Sequence, residues 1–251
     1  MDQVNKENNI DIQFLPLSET AVLVEFGKSI SPEINSKVKS LGEYLERNSF
    51  PGMIEYVSAF SSVTVFYNPL VVMKNCKQAI GLKYSMAHQI VTGILKEAVG
   101  KLGSSFKSNP KVVEIPVCYG GEFGPDLPYV AEQNKLNIDE VIEIHSSGEY
   151  LVYMIGFAPG FPYLGGMSER IAAPRRQSPR TAIPARSVGI AGMQTGIYPI
   201  TTPGGWQLIG STPVELFRPT EDPPSLLQAG DIVRFRPISL KEYEKLREGK
   251  Q

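Results

Sequence analysis

The chain has 251 residues, enough for one large domain or two small ones at roughly 150 residues each. Its 25 Lys and Arg offset 26 Asp and Glu for a formal charge of −1, so no overall field recruits nucleic acid or an anionic membrane, and neither is expected as a partner. Two cysteines, Cys76 and Cys118, and two histidines, His88 and His145, are too few for a disulfide framework or a His-rich metal centre, and no metal site is expected.

The start, residues 1–9, is polar with no apolar run behind it, and nowhere do ~20 apolar residues follow one another, so a cytoplasmic location is expected. Residues 21–26 predict a strand closed by Gly27. Ser31, Pro32 and Glu33 supply an N-cap, an N1 proline and a first-turn acid. Ile34, Val38, Leu41 and Leu45 follow at helical spacing, predicting an amphipathic helix over 32–47. Residues 53–60 and 62–67 read as a hairpin. Ile90, Val91, Ile94, Leu95, Ala98 and Leu102 mark a second helix, and 112–117 a further strand. The order β-α-β-β-α-β predicts a small α/β sandwich of the split-βαβ, ferredoxin-like kind, with the first domain ending near residue 104. Residues 103–110 are polar and turn-rich, the expected linker to a second domain over 111–251.

Beyond the linker, 126–133 and 137–145 carry short helical signals, the latter with Asn137 as N-cap. From residue 150 the pattern turns to strands, at 151–157, 188–191, 196–200, 206–209, 214–218 and 231–236. A short solvated helix is expected over the last ten residues. Between Gly156 and Pro213, 18 of 58 residues are Gly or Pro, interleaved with Phe157, Phe161, Tyr163, Tyr198 and Trp206. Apolar residues between frequent turn-formers predict short strands and tight loops, in a closed barrel or a sandwich. The fold class is therefore α+β.

Charge placement says more than net charge. No Asp or Glu occurs from Arg170 to Val214, while Arg170, Arg175, Arg176, Arg180 and Arg186 all do. Guanidinium forks without local acids suit carboxylates and phosphates, and glycines let backbone N–H groups approach the same anion. The plain alternative is that each arginine pairs with an acid from elsewhere or faces water. Gln194 and Thr195 offer amide and hydroxyl groups to a small polar substrate, or simply to their own turn. His145, at a predicted helix C-terminus, reads as a carbonyl and dipole partner or as an acid/base group. No Walker A, GxGxxG, GxSxG or HExxH motif occurs. Phe157, Phe161 and Tyr163 share one proline-stiffened loop that plugs a barrel end or docks a partner.

At these residues the sequence resembles a known family. Gly156 through Gly166, Pro174-Arg175-Arg176 with Ser178-Pro179-Arg180, residues 187–192, residues 194–199 and Pro203-Gly204-Gly205-Trp206, in that order, look like the family of the 5-oxoprolinase B-subunit. Gly124-Pro125-Asp126-Leu127 and His145 extend the match. The family includes a sporulation-kinase inhibitor and is related to part of the carboxyltransferase region of urea amidolyase. The resemblance implies that the second domain is a cyclophilin-like β barrel. It implies one component of a complex that opens 5-oxoproline to L-glutamate with ATP hydrolysis, alongside a homologous C-subunit and a separate A-subunit, with ATP bound together with those partners. On this reading His145, Arg176 and Arg180 are the catalytic candidates. Gln194, Thr195, Tyr198, Gly204, Gly205 and Trp206 are expected to bind substrate, and Phe157, Phe161 and Tyr163 to dock a partner. The alternative is an inhibitor that binds the dimerisation helices of a sensor histidine kinase. A third reading, half of a biotin-dependent carboxyltransferase, puts the biotin on another chain. Two positions depart from the family pattern: Arg186 stands where Gly is usual, and Ser211 where Arg is common.

Overall fold

The computed structural model describes residues 12–75, 86–102 and 110–249. Most of the expected linker, the polar start and Cys76 lie outside the described residues. The chain divides into two units, Met1–Ser108 and Asn109–Gln251.

In the first unit the elements run β1 (Gln13–Ser18), β2 (Ala21–Glu25), α1 (Pro32–Arg47), β3 (Met53–Ser58), β4 (Ser62–Tyr67), α2 (Pro69–Asn75) and α3 (Ala87–Lys101). Helix α1 begins where its local chemistry says it should. Ser31 Oγ accepts the Ile34 N–H at 3.2 Å, and Pro32 fills the first helical position. The sheet order is β1-β2-β4-β3 with every neighbouring pair antiparallel, so β2 and β3 flank α1 with β4 between them. Val22, Val24, Val63, Val65 and Tyr67 alternate onto one face and bury against Ile34, Val38, Leu41 and Leu45 of α1 and Ile90, Val91 and Leu95 of α3. The ferredoxin-like expectation needs correcting at its fourth strand. That place beside β2 is taken by β1, because a two-residue connection, Glu19-Thr20, makes β1 and β2 a local hairpin. Residues 112–117 belong to the second unit instead.

The second unit contains β5 (Val112–Tyr119), α4 (Leu127–Gln133), α5 (Ile138–Ser147), β6 (Tyr150–Ile155), β7 (Pro162–Gly165), β8 (Arg180–Ile183), β9 (Ser187–Ala191), β10 (Gln194–Ile197), β11 (Thr202–Gly204), β12 (Gln207–Ser211), β13 (Ile232–Pro237) and α6 (Leu240–Glu248). Seven strands form one sheet in the order β10-β9-β12-β5-β13-β6-β7, and the two end strands lie beside each other, so the sheet nearly closes into a barrel. Its first and last strands, β5 and β13, pair in parallel from Val112–Ile232 to Val117–Pro237; the other pairs are antiparallel. Ile115, Val117, Val152, Leu164, Val188, Ile190, Ile197, Ile209 and Val233 fill the interior, joined by Leu127, Val130 and Val141 from α4 and α5. Asn137 and Glu140 form a reciprocal cap at the start of α5. Strands β8 and β11 form a small separate ribbon.

Residues 214–218 do not form the expected strand. Pro213 and Pro219 bracket them, and only a single bridge, Phe217 to Ser225, is made. The C-terminal helix is less solvated than its sequence suggests, since Tyr243 is buried, packs its ring at a tilt against Phe123 and meets the Ser211 hydroxyl at 3.2 Å. Among the described residues no helix is long and apolar enough to cross a membrane.

Candidate functional site

A cleft of about 230 Å³ opens beside β10 and β11, lined by Phe157, Phe161, Tyr163, Arg175, Gln194, Tyr198, Pro203, Gly204, Gly205 and Trp206. Its floor is a second apolar cluster in which Phe161 meets Tyr163, Tyr198 and Trp206 edge-to-face at 5.3–5.8 Å. Gly204 is required here. A Cβ on it would lie 2.7 Å from both Tyr198 Oη and Ile183 Cδ1, closing the hollow above the tyrosine. Five of the six expected substrate-binding residues thus share one cleft: Gln194, Tyr198, Gly204, Gly205 and Trp206. Thr195 does not line it, because adjacent strand residues point to opposite faces and Thr195 turns into the core.

Arg176 and Arg180 do not line the cleft either. Both reach Asp126, a buried carboxylate just before α4. Arg176 Nη1 and Arg180 Nη2 donate to Asp126 Oδ1 at 3.0 and 2.9 Å, and the Leu208 N–H donates to Oδ2 at 2.7 Å. The Arg176 N–H donates to the Gly205 carbonyl at 2.7 Å, and Gln207 Nε2 to the Pro174 carbonyl at 2.9 Å. Together these bonds strap the arginine loop to β12 behind the cleft wall. Charge-assisted bonds to a desolvated carboxylate are the strong kind. The guanidinium that the cleft does receive is Arg175, which nothing in the sequence sets apart from its neighbour. No acid lies within ion-pair distance of it among the described residues.

His145 lies wholly inside the barrel core, stacked on Phe235 at 4.4 Å. Thr195 Oγ1 donates to the Gly189 carbonyl at 3.1 Å and so accepts from His145 Nε2 at 2.8 Å; Nδ1 is then left to accept the Tyr119 hydroxyl at 2.7 Å. The imidazole is neutral and fully satisfied, and burial pulls its pKa down to about 3. This arrangement ties α5 to β5 and β10, and it places no titrating group in the cleft.

The aromatic loop splits by role. Phe161 is 2% exposed and holds the cluster together, which removes it as a protruding anchor. Phe157 is 66% exposed and has a left-handed backbone at φ +66°, a conformation that costs a bulky residue energy and is typical of functional sites. Tyr163 is half-buried on the cleft wall. Arg186 also has a left-handed backbone at φ +74°, and its carbonyl accepts the Ser211 hydroxyl, so these two positions touch.

Comparison with known proteins bears on this cleft and barrel. Residues 12–227 match the family model described as carboxyltransferase domain, subdomain C and D. The chain is 53% identical over 236 residues to the 5-oxoprolinase B-subunit of Bacillus subtilis (strain 168), covering 94% of this chain and 97% of that one. It is 24% identical over 98% of its own length to urea amidolyase of Lachancea kluyveri, of which it matches 14%. The crystal structure of TTHA0988 superposes with a TM-score of 0.72 at 35% identity, over 87% of this chain; the match spans 39% of that longer chain.

Proposed function

Because the chain belongs to the family of the 5-oxoprolinase B-subunit, we propose that it serves as one component of a complex that opens 5-oxoproline to L-glutamate. The observation that carries this reading is the 53% identity that runs through 94% of this chain and 97% of a relative of that name. The reaction adds water across the lactam C–N bond and frees the ring nitrogen as an amine. An amide resists this near neutrality, and coupling to ATP hydrolysis supplies the drive.

The proposed partners are a homologous C-subunit and a separate A-subunit, in a cytoplasmic assembly. The nucleotide belongs with them. A triphosphate calls for several converging cations or N–H donors, and this cleft presents one guanidinium. The part proposed for this chain is to bind and orient the small ring. ATP-dependent release of glutamate from 5-oxoproline, measured for the reconstituted complex with and without this chain, tests it. The rate should fall to background without the chain; an unchanged rate would refute the reading.

A second reading, docking to a sensor histidine kinase, is favoured only by the exposed, strained Phe157. Autophosphorylation of such a kinase that is blocked by the parent chain and not by Phe157→Ala would support it.

A further inference from the structure

We infer that Tyr198 and Arg175 together form a carboxylate-reading pair, so that this chain on its own selects small ring carboxylates over their neutral counterparts. The inference rests on the oxoprolinase reading for its choice of ring, while the pair itself is read from the cleft.

Tyr198 is 2% exposed, yet its hydroxyl has no hydrogen-bond partner among the described residues, although it lines the cleft. The ring is packed away while the hydroxyl opens onto the cleft, so what meets it there is solvent or a ligand and not the protein. Tyr119 and Tyr150, which do not line the cleft, are met inside the fold: Tyr119 reaches His145 Nδ1, and Tyr150 donates to the His145 carbonyl at 2.7 Å. Tyr198 is therefore a donor waiting for an acceptor that arrives from the cleft. Gly204 keeps the space above its oxygen open.

The acceptor must be negative. Arg175 lines the same cleft without an acid, no Asp or Glu is among the lining residues, and Arg175 and Arg180 both act electrostatically on the Tyr198 hydroxyl. Burial raises the Tyr198 pKa to about 12, outweighing the two arginines, so the phenol keeps its proton and can only donate to an anion. A carboxylate takes one bond from Oη and another from the Arg175 fork. The rest of the ligand meets Trp206, Phe161 and Phe157, which suits a flat ring, and Gln194 offers an amide that can pair with a lactam edge.

Trp206 is the only tryptophan in the chain and lies in the cleft wall, so its fluorescence reports occupancy directly. The full chain is titrated, without its partners, with three probes. These are 5-oxoproline, 2-pyrrolidinone (the same lactam without the carboxylate) and cyclopentanecarboxylate (the carboxylate without the lactam). Saturable binding of 5-oxoproline at least tenfold tighter than of 2-pyrrolidinone is expected. Tyr198→Phe, which keeps the ring and the packing, should weaken it about ten- to a hundredfold, the range for a bond to a charged group. Arg175→Gln should do the same, and Arg175→Lys should recover only part of the loss. Binding of cyclopentanecarboxylate without 5-oxoproline would uphold the pair and count against the oxoprolinase reading. Equal binding of the charged and neutral lactams, no carboxylate binding at all, or unchanged affinity in both Tyr198→Phe and Arg175→Gln would overturn the pair. Those outcomes leave the oxoprolinase reading to the reconstituted assay.

Discussion

Removing Asp126 should loosen the wall behind the cleft, and the cost follows from its bonds. The carboxylate accepts one backbone N–H and two guanidinium N–H bonds at 2.7–3.0 Å while almost fully buried. Breaking a buried ion pair by deleting one partner typically costs about 3–5 kcal/mol. The arginine side chains are 36% and 22% exposed, so water can rehydrate them in part, which brings the expectation for Asp126→Ala to about 2–4 kcal/mol. Urea unfolding followed through Trp206 measures the loss in the unit where it occurs. A double-mutant cycle with Arg180→Met separates the pair from the packing, with an expected coupling of about 1–3 kcal/mol. An Asp126→Ala loss below about 1 kcal/mol, or a coupling near zero, would mean that the bonds are decoration and the loop is held by something else.

Phe161→Ala should cost about 3–5 kcal/mol as a buried aromatic deleted from a cluster, and Phe157→Ala close to nothing; similar losses at both positions, read by the same unfolding assay, would contradict the division of roles in that loop. Arg186→Gly relieves a left-handed backbone, and the gain of ~1–2 kcal/mol is partly offset by the added freedom of the unfolded chain, leaving a net stabilisation of about 0.5–1 kcal/mol visible as a higher Tm. His145 contributes stability that is complete above its unfolded pKa of about 6.5. As pH falls below that value the unfolded chain takes up a proton that the folded core refuses until about pH 3, so stability should drop by about 1.4 kcal/mol per pH unit across that window. Denaturation at several pH values should show this extra slope in the parent and not in His145→Gln; parallel curves would argue against a buried neutral imidazole.

Helix α1 is legible to its first residue because everything that starts it is local: a serine cap, a proline and apolar residues at helical spacing. The capping pair of α5 is legible for the same reason. Strand β1 is not, since QFLPLS has no alternation and carries a proline; it is a strand because β2 is two residues away. The Gly- and Pro-rich region does fold as short strands around a cleft, yet the two arginines that the sequence singles out, Arg176 and Arg180, face Asp126 and not that cleft. Charge along the sequence shows which residues lack a nearby acid, and Asp126 comes from 50 and 54 residues away. Arg175 and Arg176 then diverge, one toward the cleft and one toward that acid. Which neighbour goes which way is decided by the loop's bonds to Gly205 and Gln207, and composition carries no trace of it. The motif points to Tyr198 as a contact, but only the packing reveals that its hydroxyl lacks a partner.

The parallel pairing of β5 with β13 has a consequence for how the protein comes off the ribosome. Strand β5 leaves the exit tunnel early, and its partner is 120 residues further along at the start of the register, Val112 with Ile232. At roughly 5–20 residues per second, synthesis of that stretch takes about 6–24 s, and for most of it neither neighbour of β5 exists, since β12 begins only at Gln207. The hairpins β1–β2 and β3–β4 face no such delay, because each closes within a few residues. The barrel is thus a structure whose first strand must be kept from other partners until almost the last one has been made. A ribosome stalled before residue 232 holds an unfinished sheet edge, the kind of surface on which chaperones act.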